Sequence, residues 1–164
     1  MLKQKMFVVI IISLGFVLQA CTQSSNEPST VNEQSVTQKT NQMVSGTINS
    51  VNHISRDNKA YFEVRVTMPG GGIVKFEYVS SSGSLHEIKG LSGPFDYEVT
   101  PGDQFISYST ARKTALNAKP GTINEWDLEF DVSDARWEYR FRIQSDKEYK
   151  VRINAFTGEL VRVQ

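Results

Sequence analysis

Two histidines and one cysteine are the residues of this 164-residue chain best suited to metal, nucleophilic or redox chemistry. Their spacing supports none of these. His86-Glu87-Ile88-Lys89-Gly90 begins like the helix motif of zinc peptidases, but position 90, where the second histidine ligand must stand, is glycine. His53 is isolated, and two histidines make no three-ligand set without an arbitrary choice of carboxylates. Ser82-Gly83-Ser84-Leu85 does not supply the G-x-S-x-G elbow of a serine hydrolase. Gly70-Gly71-Gly72 lacks the lysine and the following helix of a phosphate loop. Asp127, Glu129 and Asp131 fall at alternate positions, and a meander places them opposite Arg136, Arg140 and Arg142 as cross-strand ion pairs. The sequence thus predicts no catalytic residue, no metal site and no cofactor. The candidate site that remains is a basic face of Arg140, Arg142, Lys150 and Arg152, with Arg136 at its margin. Such a face suits an acidic wall polymer, an anionic lipid surface or an acidic protein segment.

The elements that position this face are strands. Trp137, Tyr139, Phe141 and Ile143 alternate with Arg136, Glu138, Arg140 and Arg142, the period of a strand with one buried side. Tyr149, Val151 and Ile153 alternate with Lys150 and Arg152; Trp126, Leu128, Phe130 and Val132 alternate with Asp127, Glu129 and Asp131. Trp126, Trp137, Tyr139 and Phe141 are predicted core, with a binding groove as the alternative. Ser133-Asp134, Gln144 to Lys147 and Asn154 to Gly158 supply the turns, and Glu159 to Val163 a last short strand. Ser107 to Lys119 reads as a helix, with Ser107 as N-cap, Ala111 and Ala115 on its inner stripe, and Pro120-Gly121 stopping it.

The chain repeats itself. Gly46-Thr47-Ile48-Asn49 recurs as Gly121-Thr122-Ile123-Asn124, an offset of 75. At that offset Ala60, Glu63, Arg65, Lys75, Gly83 and Leu85 meet identical residues, and Phe62 meets Trp137. A fixed register with matched apolar phases points to duplication. The first copy shows the same plan over Phe62 to Met68, Val74 to Tyr78 and Ser84 to Ile88. Its helix would fall on Asn32 to Val44, a stretch poor in large apolar residues that reads as a tether, with a weak or degenerate helix as the alternative.

At the N-terminus Lys3 and Lys5 precede an apolar run, Met6 to Leu18, of secretory-signal length. Leu18-Gln19-Ala20-Cys21 resembles a bacterial lipoprotein box. The resemblance implies cleavage before Cys21, a diacylglyceryl group on its sulfur, and anchoring to the lipid bilayer at the extracytoplasmic face of the cell membrane. Removal of residues 1–20 would leave 16 basic against 18 acidic residues, a balance that argues against nucleic-acid binding. With Cys21 acylated, disulfides and thiol chemistry are excluded.

One helix, a run of antiparallel strands, and then Asn154-Ala155-Phe156-Thr157-Gly158-Glu159 resembles the PepSY domain, over about 104–164. The helix segment Thr110 to Leu116 followed by Pro120-Gly121 fits as well. The resemblance implies a small α+β module that occurs in peptidase propeptides and bacterial surface proteins and carries no agreed catalytic residues. The predicted fold class is α+β: two related antiparallel β-meander units, the second with one helix packed on its sheet, after a signal peptide and a disordered tether. The boundaries are 1–20 signal, 21–44 lipidated cysteine and linker, 45–90 degenerate PepSY-like unit, 91–103 linker and 104–164 PepSY-like domain. The expected function is a non-enzymatic, membrane-anchored binding protein whose partner is a secreted or membrane peptidase or another envelope component. The alternative is an envelope protein holding a small molecule or polymer between helix and sheet, near Tyr108, Trp126 and Trp137.

Overall fold

The computed structural model describes residues 31–164, so the signal segment and Cys21 lie outside the described residues. The elements are α1 (Glu33–Met43), β1 (Thr47–Arg56), β2 (Lys59–Thr67), β3 (Ile73–Val79), β4 (Leu85–Ser92), α2 (Tyr108–Ala118), β5 (Thr122–Asp131), β6 (Arg136–Gln144), β7 (Glu148–Asn154) and β8 (Leu160–Val163). All eight strands form one sheet in sequence order, each antiparallel to the next. The two units are therefore joined edge to edge through β4 and β5, where Glu87 to Gly90 pair with Glu129 to Trp126.

Both helices pack on one face of this sheet. Across it run Val64, Phe76, Ile88, Leu128, Tyr139 and Ile153 in one register row, all buried. Alternation of apolar and charged residues along each strand decides which face this is. α2 sits close because Ala111 and Ala115 bring small side chains to the sheet, while Tyr108 packs at a tilt against Trp126 with ring centroids 4.2 Å apart.

A helix at 33–43 corrects the expectation of a flexible linker over 21–44. α1 buries only Val36 and Thr40, so hydropathy does not announce it. Polar contacts hold it instead. Asn32 and Ser35 form a capping box, the Ser35 amide donating to Asn32 Oδ1 at 2.9 Å and the Asn32 amide donating to Ser35 Oγ at 3.0 Å. Thr40 Oγ1 lies 2.8 Å from the Tyr78 hydroxyl, and Lys39 donates to the Gly83 carbonyl at 2.6 Å.

An offset of 75 carries α1 onto α2, β1 onto β5 and β3 onto β7 residue for residue. The bulge between Ile48 and Ser50 recurs between Ile123 and Glu125, and that between Glu77 and Tyr78 recurs between Arg152 and Ile153. The Gly83 and Gly158 turns match in backbone hydrogen bonds and in positive φ, 65° and 75°. β6 departs from this rule. Arg56 pairs with Lys59, whereas Asp131 pairs with Arg136, so the β5–β6 turn is two residues longer and the β6–β7 turn correspondingly shorter. The structural counterpart of Trp137 is thus Ala60, not Phe62, and that of Arg140 is Glu63, not Arg65. A shift of two keeps every side chain on its face, which is why the apolar phases still matched.

The segment expected as a linker over 91–103 forms no strand of its own beyond Ser92. It crosses the helix face and buries Tyr97, Val99 and Phe105 between α1, α2 and the sheet. Gly90 on β4 makes room for the indole of Trp126 on the neighbouring strand: a Cβ at Gly90 would stand 2.5 Å from Trp126 Cδ1. Gly90→Ala is expected to cost about 1–3 kcal/mol by overpacking, read as a lowered denaturant midpoint with unchanged slope; an unaffected midpoint would show that the seam yields.

Candidate functional site

The face opposite the helices is paved with charge. One register row places Glu63, Glu77, Glu87, Glu129 and Glu138 side by side across β2 to β6. The next row places Arg65, Lys75, Lys89, Asp127, Arg140, Arg152 and Arg162 across β2 to β8. Like charges directly opposite each other destabilise a sheet. The two rows relieve each other along the strands. Lys75 reaches Glu77 at 2.6 Å and Glu87 at 2.7 Å, Arg140 reaches Glu129, and Arg152 reaches Glu138 at 3.2 Å.

The duplicated units use opposite polarities at equivalent places. Arg56 and Glu77 pair at 2.7 Å in the first; Asp131 and Arg152 pair at 2.5 Å in the second. Glu63, Glu77 and Glu87 correspond to Arg140, Arg152 and Arg162. Equivalent positions are therefore acidic in the first unit and basic in the second.

Arg140, Arg142, Lys150 and Arg152 come together as expected, and with Lys89, Glu125 and Asp127 they line a cavity of about 220 Å³. Most of their charge is engaged. Arg140 pairs with Asp127 at 2.6 Å, Arg142 with Glu125 at 3.3 Å and Glu148 at 3.1 Å, and Arg152 with Asp131. Among the described residues Lys150 has no ion-pair partner. Lys89 and Glu125, paired at 2.5 Å, were not assigned to this face from sequence, and neither was the Arg56–Lys75–Glu77–Glu87 network of the first unit. The signal was present: Lys89 and Glu125 keep the outward phase of their strands.

Burial pushes the Asp127 carboxyl up to about 6 against the pull of Arg140. Glu77 behaves in the opposite way: burial works to raise it, but hydrogen bonds from Arg56 and Lys75 prevail and hold it below the ordinary carboxylate range. The Lys89 hydrogen bond likewise depresses Glu125. Asp131, Asp134 and Glu138 gather their oxygens within 4.8 Å. Arg136, Arg152 and Arg162 reach into that cluster, so guanidinium groups supply its positive charge.

His86 stacks on Tyr61 at 4.7 Å, and His53 Nε2 lies 3.0 Å from Ser80 Oγ. Trp126, Tyr139 and Phe141 are core; Trp137 is half-buried against Phe105. Of the space near Tyr108, Trp126 and Trp137, where the alternative reading put a ligand, the part between Tyr108 and Trp126 is filled, whereas Trp137 lines an open groove with Gly83, Leu85 and Phe105. Tyr97 stacks on Tyr108 and accepts the Trp126 indole N–H at 2.9 Å, and burial raises its own hydroxyl to about 12.

Residues 105–164, which span α2 and β5 to β8, match the family described as "Peptidase propeptide and YPEB domain", PepSY. This segment is a PepSY domain. Its Asn154 to Glu159 motif builds the turn between β7 and β8. Asn154 Oδ1 accepts the amides of Phe156 and Thr157, and Gly158 takes the positive φ that closes the turn. The first unit lies outside the match. A crystal structure of a candidate lipoprotein from Clostridium difficile 630 is similar at 18% identity, with 73% of this chain and 82% of that chain covered and a TM-score of 0.36. Among curated proteins no sequence matches. No helix among the described residues is long and apolar enough to cross a membrane.

Two predictions test this electrostatic description. Asp127 has a folded pKa above its unfolded value, so its protonation stabilises the fold at low pH and that contribution is lost as pH rises through about 6. Asp127→Asn should therefore flatten the pH dependence of stability between about 4 and 6, removing about 2–3 kcal/mol of difference across that window. Identical pH profiles would contradict the assignment. Glu77→Ala removes a buried carboxylate bonded to both Arg56 and Lys75, while half-exposed Arg56 turns to solvent and Lys75 keeps Glu87, and should cost about 1.5–3 kcal/mol. Glu63→Ala breaks the more exposed pair with Arg65 and should cost under about 1 kcal/mol. Equal losses in the denaturation midpoint would refute the distinction.

Proposed function

We propose that this protein is a non-enzymatic, lipid-anchored PepSY protein of the extracytoplasmic membrane face that binds a protein partner and modulates a peptidase there. The PepSY domain over 105–164 carries this reading, because the family is described by its place in peptidase propeptides. A propeptide acts by occupying a surface of its enzyme and needs no chemistry of its own. The export-type N-terminus with Leu18-Gln19-Ala20-Cys21 supports the location. Two acyl chains on Cys21 would give stable anchoring at roughly 0.8 kcal/mol per buried methylene, where one chain is marginal.

The sheet suggests how a partner is held. β1 and β8 are its two edges, and each offers an unpaired row of backbone groups to an extended segment. β8 belongs to the PepSY domain and is only four residues long; β1 has ten. The ion-paired face beside them supplies alternating acidic and basic rows that favour a complementary partner over others.

Labelling with an alkyne palmitate analogue should mark the wild-type protein in the membrane fraction, and Cys21→Ala should be unmarked and soluble. Photocrosslinking from β8 in living cells should capture a peptidase or its envelope partner, and deletion of the gene should change extracellular peptidase activity. An unmarked wild-type protein would overturn the anchor. Unchanged peptidase activity together with no captured protein would overturn the binding role.

A further inference from the structure

The duplication provides an internal control for the surface. In the second unit Phe130, Val132 and Phe156 are 44%, 84% and 45% exposed, and Trp137 is half-buried beside them. Phe130, Trp137, Phe105 and Phe156 form a continuous line, with successive ring centroids 6.2, 5.3 and 5.3 Å apart. At the places equivalent to Phe130, Trp137 and Phe156 the first unit has Ser55, Ala60 and Ser81, and its shorter turn holds Asp57 and Asn58 where the second unit's turn begins with Val132. The fold accommodates polar or small residues at these positions, so packing alone does not explain the apolar ones. Exposed apolar groups in one patch mark contact with something other than water.

The patch lies at one end of the sheet. In a meander alternate turns share an end, and the turns after β1, β3, β5 and β7 hold Asp57, Ser81, Val132 and Phe156. The chain arrives at this same end. Val31, the first described residue, lies against Gly83 in the β3–β4 turn, 3.2 Å from where a Cβ there would stand. Gly83, Leu85, Phe105 and Trp137 line one groove, which connects the arrival point to the aromatic line. Nine residues lie between Cys21 and Val31, ten backbone steps that span at most about 33–36 Å when fully extended. An acylated Cys21 thus keeps this end of the sheet near the lipid.

We infer that the turn end of the second unit, with Phe130, Val132, Trp137 and Phe156, is a membrane-resting surface that dips into the headgroup region of the bilayer. The inference rests on the lipid-anchored reading above. Tryptophan settles at the headgroup level, and tryptophan and phenylalanine are among the side chains that interfacial surfaces bury at the headgroup boundary. Such seating fixes the orientation of the sheet: its turn end faces lipid, and its charged face and both edges stand free for a partner.

The two tryptophans make the test direct, since Trp126 is fully buried and Trp137 belongs to the patch. The full-length lipidated protein is reconstituted into phosphatidylethanolamine–phosphatidylglycerol vesicles with and without brominated acyl chains. Brominated lipid should quench the tryptophan emission of the wild-type protein. Trp137→Phe should lose that quenching, and Val132→Asp, at a position where folding does not depend on the side chain, should reduce it without releasing the protein from the vesicles. A dye on Val132→Cys should be quenched, and one on Asp57→Cys should not. Absence of quenching while the protein floats with the vesicles would overturn the surface and leave the anchor standing. Failure to float would overturn both. Crosslinking of Val132→Cys to another protein in cells, without lipid quenching, would overturn the inference in favour of a protein contact.

Discussion

The pairing of β4 with β5 governs the architecture of the whole molecule. Four register pairs join the two units, and one of them sets Glu87 opposite Glu129. That contact is unfavourable taken alone. It holds because each carboxylate has its own cation from a neighbouring strand, Lys75 for Glu87 and Arg140 for Glu129. On the other face the same seam depends on Gly90 making room for Trp126, which ties the interdomain crossing to the sheet through the Tyr97 hydroxyl. The seam thus turns two small meanders, each with a marginal core, into one surface with a shared core.

Polarity is inverted between the units. Through the seam the Arg65–Lys75–Lys89 row runs on, past Asp127, into Arg140, Arg152 and Arg162, where a second copy of the first unit would have placed the equivalents of Glu63, Glu77 and Glu87. Exchanging Arg56–Glu77 for Asp131–Arg152 keeps the geometry of the pair and reverses its sign. The result is a face that is nearly neutral as a whole and patterned in detail. A patterned, largely self-compensated face discriminates among charged partners more than it attracts them, as the proposed binding role requires.

Much of this was legible in the sequence, for identifiable reasons. Strands β5 to β7 announce themselves because aromatic and aliphatic residues alternate with charged ones. The basic face and its pairing with Asp127, Glu129 and Asp131 followed from the same alternation. α1 was not legible by hydropathy, since a capping box and the Thr40–Tyr78 contact hold a helix that buries two side chains. The repeat offset did carry the signal, because Asn32 falls on Ser107, one N-cap on another. The two-residue shift of β6 was hidden because an even shift preserves phase. Tyr97 was hidden because a buried crossing without regular structure has no period to read.

Native-state hydrogen exchange across the β4–β5 seam decides whether the eight strands form one cooperative sheet. The seam amides within Glu87 to Gly90 and Trp126 to Glu129 that are hydrogen-bonded should share the protection of β2, β3, β6 and β7, opening only with global unfolding. Seam amides that exchange orders of magnitude faster while both halves stay protected would contradict this and return the molecule to two units on a string.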